Sequence, residues 1–168
     1  MARPAAKART ARTTLAIDVL VESDLWKRKD RIRSAARRAI GKAAEVLSTP
    51  RSELAIVLTD DSTIRLLNRD WRGVDASTNV LSFPAGHAGG KPPFIGDIVL
   101  AYETIAAEAA AERKPFAHHI AHLAVHGFLH LLGYDHVRKT DAQAMEALER
   151  DILRRLGIPD PYRNMAKA

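Results

Sequence analysis

Apolar positions along the chain alternate with a period of two in some stretches and recur every three or four residues in others. Leu15–Val21 (LAIDVLV) puts Leu15, Ile17, Val19 and Val21 on one face, which predicts a β-strand. Glu53–Leu58 (ELAIVL), Thr78–Phe83 (TNVLSF, stopped by Pro84) and Gly96–Ala101 (GDIVLA) predict three more. Over residues 24–47 the apolar stripe is helical: Leu25, Ile32, Ala36, Ala39, Ala43 and Leu47 align when the chain turns by about 100° per residue. Asp61–Trp71 predicts a short helix opened by an Asp/Ser cap. Gly86–Pro93 (GHAGGKPP) predicts a flexible loop. Tyr102–Arg113 predicts a helix ending before Pro115, and Phe116–Leu132 a long apolar helix stopped by Gly133. Thr140–Leu156 predicts a last helix, opened by a T-x-x-Q capping box and closed before Gly157. Intermixed helices and strands give an α+β class, with a small mixed sheet of about four strands packed with helices.

The 168 residues suit one domain with a sizeable core. We expect it to span residues 14–158, between a disordered basic tail at 1–13 and a C-terminal tail at 159–168. Hydrophobic residues make up 46% and charged ones 27%, and no apolar run reaches membrane-spanning length. With no apolar h-region at the N-terminus, the expected location is cytoplasmic. Cysteine is absent, so thiolate chemistry and disulfides are excluded, and a metal would need nitrogen or oxygen ligands.

The net charge of +6 is concentrated. The first thirteen residues hold Arg3, Lys7, Arg9 and Arg12 with no acid, a composition also seen in organelle transit peptides. Residues 27–42 hold eight basic residues against Asp30, and the remainder is net negative. Lys27, Arg31, Arg38 and Lys42 fall opposite the apolar stripe of the first expected helix, an arrangement suited to a polyanion such as RNA.

His126 to His136 reads HGFLHLLGYDH. His126 and His130, at i and i+4, share a helix face; Gly133 ends the helix; His136 returns within reach. The spacing H-x3-H-x2-G-x2-H is that of the extended zinc motif of metzincin proteases. Three imidazoles leave an open fourth position on a tetrahedral zinc, the arrangement of a catalytic site. His119 and His122 lie on the same stripe, so His122/His126 is a rival ligand pair; only His126/His130 adjoins the turn that brings back His136. We expect His122 to hydrogen-bond a ligand or a neighbouring strand, with Asp135 also behind the ligands, and His118 and His119 to be exposed. The catalytic glutamate of HExxH proteases is here Gly127. A phosphodiester substrate needs positive charge more than an adjacent carboxylate, and Arg72, in LNRDWRG, is the candidate to supply it.

These stretches also resemble a known family. HGFLHLLGYDH resembles the signature H-G-x-L-H-L-x-G-Y-D-H of the YbeY family of bacterial metal-dependent endoribonucleases. LNRDWRG is similar to its L-N-x-x-[YW]-R-G segment, TNVLSFP to T-D-V-L-S-F-P with Asn79 in place of the usual Asp, and Gly96–Ile98 to its G-D-I strand start. The resemblance implies a zincin-like fold, one zinc on His126, His130 and His136, a cleft arginine at Arg72, and a role in ribosomal RNA maturation and ribosome quality control. The expected activity is thus a zinc-dependent, single-strand-specific endoribonuclease acting on the small-subunit rRNA end, with the small ribosomal subunit and its assembly factors as partners. Two other readings stay open: a metal-dependent hydrolase of a peptide or ester, and a non-catalytic ribosome-assembly factor with a structural zinc.

Overall fold

The computed structural model describes residues 14–86 and 93–163. The expected basic tail at 1–13 lies outside the described residues, as does most of the Gly86–Pro93 loop. Four strands form one mixed sheet: β1 (Leu15–Val21), β2 (Ser52–Thr59), β3 (Val80–Pro84) and β4 (Phe94–Ala101), in the spatial order β1-β2-β4-β3. β1 and β4 run parallel to β2, and β3 is antiparallel to β4. The described residues form five α-helices: α1 (Asp30–Val46), α2 (Asp61–Arg72), α3 (Tyr102–Ala111), α4 (Phe116–Leu131) and α5 (Lys139–Arg155).

The main core lies on one sheet face, where Leu54, Ile56, Leu58, Ile98 and Leu100 meet α1, α3, α4 and α5. α4 is its centre: Ile120, Ala124, Val125, Phe128 and Leu129 are fully buried. The other face carries a smaller cluster in which Ile64 of α2 packs on Leu81, Val99 and Ala101. The strand alternation of β4 explains both clusters, since Ile98 and Leu100 point one way and Val99 the other. Among the described residues, no helix is long and apolar enough to cross a membrane.

The first expected helix is broken. Asp24–Trp26 forms a single 3-10 turn, Arg28 adopts a left-handed φ of 57°, and α1 starts at Asp30. Trp26 causes the break: its indole is completely buried and donates to the Thr59 carbonyl at 2.7 Å, which ties this turn to the end of β2. Leu25, assigned to the apolar stripe, is 40% exposed instead. The four-residue basic stripe therefore does not exist as one helix face. Lys27 lies outside α1 and pairs with Asp24 at 2.7 Å, and Lys42 pairs with Glu45 at 2.8 Å. Arg31 and Arg38 remain exposed, with no ionic partner among the described residues. The capping box at Thr140 is also not formed, because α5 begins one residue earlier behind Arg138.

Candidate metal centre

α4 presents its histidines in a row. His126 and His130, one turn apart, point to the same side of the helix end. After Leu131 the chain reverses at Gly133, whose φ is 93°; its N–H donates to the His130 carbonyl at 3.0 Å, and the Tyr134 N–H to that of Leu129 at 3.0 Å. Only glycine adopts this conformation without strain, so Gly133 delivers His136 to the other two rings. The His136 ring centre lies 5.7 Å from that of His126 and 5.1 Å from that of His130. One nitrogen from each ring falls within 4.8 Å of the others, so the three could hold a metal ion. The Nε2 atoms of His126 and His130 are 3.1 Å apart. Two nitrogens bound tetrahedrally to zinc stand about 3.3 Å apart, so the pair needs little movement to accept an ion. Burial first, and then the nearness of the His126 and His136 rings, holds the His130 pKa below its ordinary value, which favours the neutral ligand form.

Behind the ligands stands a residue absent from the sequence reading, Glu149 of α5. Its side chain is fully buried. One carboxylate oxygen accepts from His126 Nδ1 at 2.6 Å, and the other from His122 Nε2 at 3.0 Å and from the Tyr162 hydroxyl. Burial opposes ionisation of this carboxyl, but the hydrogen bonds from His122, His126 and Tyr162 outweigh it and hold the pKa down to about 2. An ionised partner requires the proton on Nδ1 of His126, which leaves Nε2 free as a metal ligand. The available signal was a charged residue at i+4 from Met145 and i−3 and i−4 from Ile152 and Leu153, all on the buried stripe of α5. Residues 159–163, placed in the expected C-terminal tail, carry Tyr162 to this carboxylate.

His122 thus bonds a carboxylate on a helix, not a ligand or a strand. His119, expected on the surface, is only 5% exposed and shares Glu108 Oε2 at 2.7 Å. Glu108 also accepts from the Asn79 amide at 3.0 and 3.2 Å. Asparagine suits this position because an aspartate would set two carboxylates face to face. Asp135 is exposed and accepts from the Val137 N–H at 3.2 Å, shaping the turn that presents His136.

The three histidines open into a cleft of about 610 Å³ that Arg72, Asn79, Ser82 and Asp135 also line. Arg72 stands at the C-terminus of α2, its guanidinium donating to the Ser82 carbonyl at 3.1 Å. Ser82 in turn donates to the Gly127 carbonyl at 2.8 Å, joining β3, which the arginine bonds, to α4. Gly127 has a steric reason. A Cβ there would lie 2.8 Å from Ile98 Cγ2 and 3.1 Å from Ser82 Oγ, because α4 rests directly on β3 and β4 at this point. The HExxH glutamate is absent because its position faces the sheet.

Fold and site together define a class: an α+β domain that presents three imidazoles from one helix and its following turn, facing an arginine across an open cleft. The model of the family described as Endoribonuclease YbeY matches residues 20–157, and the chain belongs to that family. A relative of that name from Bradyrhizobium diazoefficiens is 52% identical over 153 residues, covering 86% of this chain and 84% of its own. One from Rhodopseudomonas palustris is 50% identical over 154 residues, covering 88% and 92%. A Thermotoga maritima protein solved in solution shares the fold, with a TM-score of 0.51 at 21% identity over 83% of this chain and 91% of its own.

Proposed function

We propose that the protein is a zinc-dependent, single-strand-specific endoribonuclease, acting in the cytoplasm on the small-subunit ribosomal RNA end and in ribosome quality control. Its partners are then ribosomal RNA, the small subunit and its assembly factors, and residues 14–158 form its catalytic domain. The observation that carries this reading is the convergence of His126, His130 and His136 with Arg72 in one open cleft. Structural zinc sites are closed by four protein ligands, whereas the group found among the described residues numbers three. An ion held there supplies Lewis acidity toward a phosphoryl oxygen or the attacking oxygen. Imidazoles also accept nickel, copper and iron, and zinc is our reading within that set.

The chain's own groups divide the remaining work. Arg72 spends one N–H on Ser82, which fixes the guanidinium plane and leaves the rest of the fork for phosphate oxygens. Glu149 holds the His126 tautomer. Among the described residues lining the cleft, Asp135 is the one carboxylate available to take a proton. Incubating purified protein, with and without chelator, on ribosomal RNA and on casein tests the assignment. Metal-dependent RNA cleavage is the expected result. Casein cleavage would make the protein a peptide hydrolase, and no cleavage of either would make it an assembly factor with a structural metal.

A further inference from the structure

The second face of the sheet is only partly covered. Beside α2 a groove of about 830 Å³ stays open, walled by Leu67, Phe83 and Val99. Trp71, at the end of α2, stands on its rim with 71% of its surface exposed. Its ring meets Phe83 edge-on, with 6.0 Å between ring centres, so Phe83 supports the indole and leaves the face free. The chain's other tryptophan, Trp26, is wholly buried.

Arg72, Ser82 and Pro84 line both this groove and the metal cleft, which makes the two continuous around β3. Charge divides along that path. Arg72 sits at the junction, and the ionisable groups inside the groove are Glu22 and Asp97. Asp97 lies opposite Phe83 in the sheet, and no described residue hydrogen-bonds or pairs with its carboxylate. Acids inside the groove disfavour a phosphate there, whereas an aromatic face beside an acceptor suits a nucleobase.

We propose that this groove is a nucleobase subsite: an unpaired RNA base stacks on Trp71, its exocyclic amino group donates to Asp97, and the adjoining phosphate passes Arg72 into the metal cleft. The proposal rests on the RNA reading of that cleft and names how the single strand is held. Amino-bearing bases, cytosine for example, are then preferred to uracil. A stacked base contributes about 10- to 100-fold in affinity.

The test is a fluorescence titration of metal-loaded protein with short oligocytidylate, oligouridylate and an abasic strand of equal length. Oligocytidylate should quench the exposed Trp71 and leave the emission of Trp26; the abasic strand should not quench. Trp71→Ala and Trp71→Leu should each weaken oligocytidylate binding by about 10-fold or more, and Trp71→Tyr should restore it, with metal content and thermal midpoint unchanged throughout. Asp97→Ala should erase the preference for cytosine. Wild-type affinity in Trp71→Leu overturns stacking and makes the groove an apolar docking surface; equal quenching by the abasic strand reduces it to a phosphate contact. Equal wild-type affinity for oligouridylate overturns the Asp97 contact. RNA cleavage without Trp71 quenching overturns the subsite alone. Quenching without metal-dependent cleavage upholds the subsite and overturns the endoribonuclease reading.

Discussion

Replacing Glu149 by glutamine keeps the shape of the side chain but removes its charge and turns one acceptor into a donor. The carboxylate now accepts from His126 Nδ1, His122 Nε2 and the Tyr162 hydroxyl, three donors on two oxygens. With glutamine, either His126 or His122 must face an NH2 group. If it is His126, its proton moves to Nε2 and the metal loses a ligand. If it is His122, the proton moves to Nδ1, which is already buried without a partner among the described residues. With the amide oxygen toward His126 the acceptor behind the metal is neutral and weaker; with the NH2 toward it that acceptor is lost. Loss of such a supporting carboxylate costs about 10- to 100-fold in metal affinity, or roughly 1.4–2.8 kcal/mol. Charge-assisted hydrogen bonds contribute roughly 1.5–3 kcal/mol each and are not additive here, so folding should weaken by about 2–4 kcal/mol. For a chain of this size that is a fall of roughly 5–15 °C in thermal midpoint. The pH dependence should change too. The native pKa of about 2 lies below the ordinary value of 4.5, so the ionised carboxylate's contribution is fully present above 4.5 and lost as pH falls toward 2. The variant should lack that acid limb. Competition against a chromophoric chelator measures the affinity, and melts across pH measure the rest. Tyr162→Phe is the control, since it spares His126. Wild-type metal affinity in Glu149→Gln would refute the reasoning.

Removing a ligand imidazole should empty the site: His126→Ala or His130→Ala should lose the ion on elemental analysis, while His119→Ala, whose ring bonds Glu108, should retain it. Arg72→Lys should lower RNA turnover by about 10²–10³-fold with fold and metal content intact, because lysine cannot reproduce the planar fork; wild-type turnover would return Arg72 to the surface residues. Gly127→Ala should destabilise by about 1 kcal/mol, the contact 2.8 Å from Ile98 outweighing alanine's better helix propensity, as thermal melts would register. On the basic helix, Arg31→Glu with Arg38→Glu should weaken RNA binding and flatten its salt dependence, whereas changing Lys27 and Lys42, which already pair with Asp24 and Glu45, should do little.

Most of the fold was legible from local pattern. Strand alternation, helical stripes and punctuation by proline and glycine located the four described strands and, apart from the start of α1, the five described helices within a few residues, since these signals act over one or two turns of chain. The histidine group that could hold a metal was legible for the same reason: His126, His130, Gly133 and His136 lie within one helix end and its turn. Local pattern failed where a distant partner took control. Trp26 breaks the first helix because its indole finds a carbonyl on β2. His119 is buried because α3 supplies Glu108, and Lys27 left its stripe with that break. Glu149, 23 positions beyond His126, joins the site only because α5 packs on α4. Gly127 read as a missing base, and the sheet beneath it shows that even a Cβ there would press on Ile98. The sequence by itself determined which residues could ligate a metal and which faces were apolar. Tertiary packing decided which carboxylate orients the ligands, where the arginine's fork is fixed and how far the cleft extends, because those depend on groups that only the closing of the core brings within hydrogen-bonding distance.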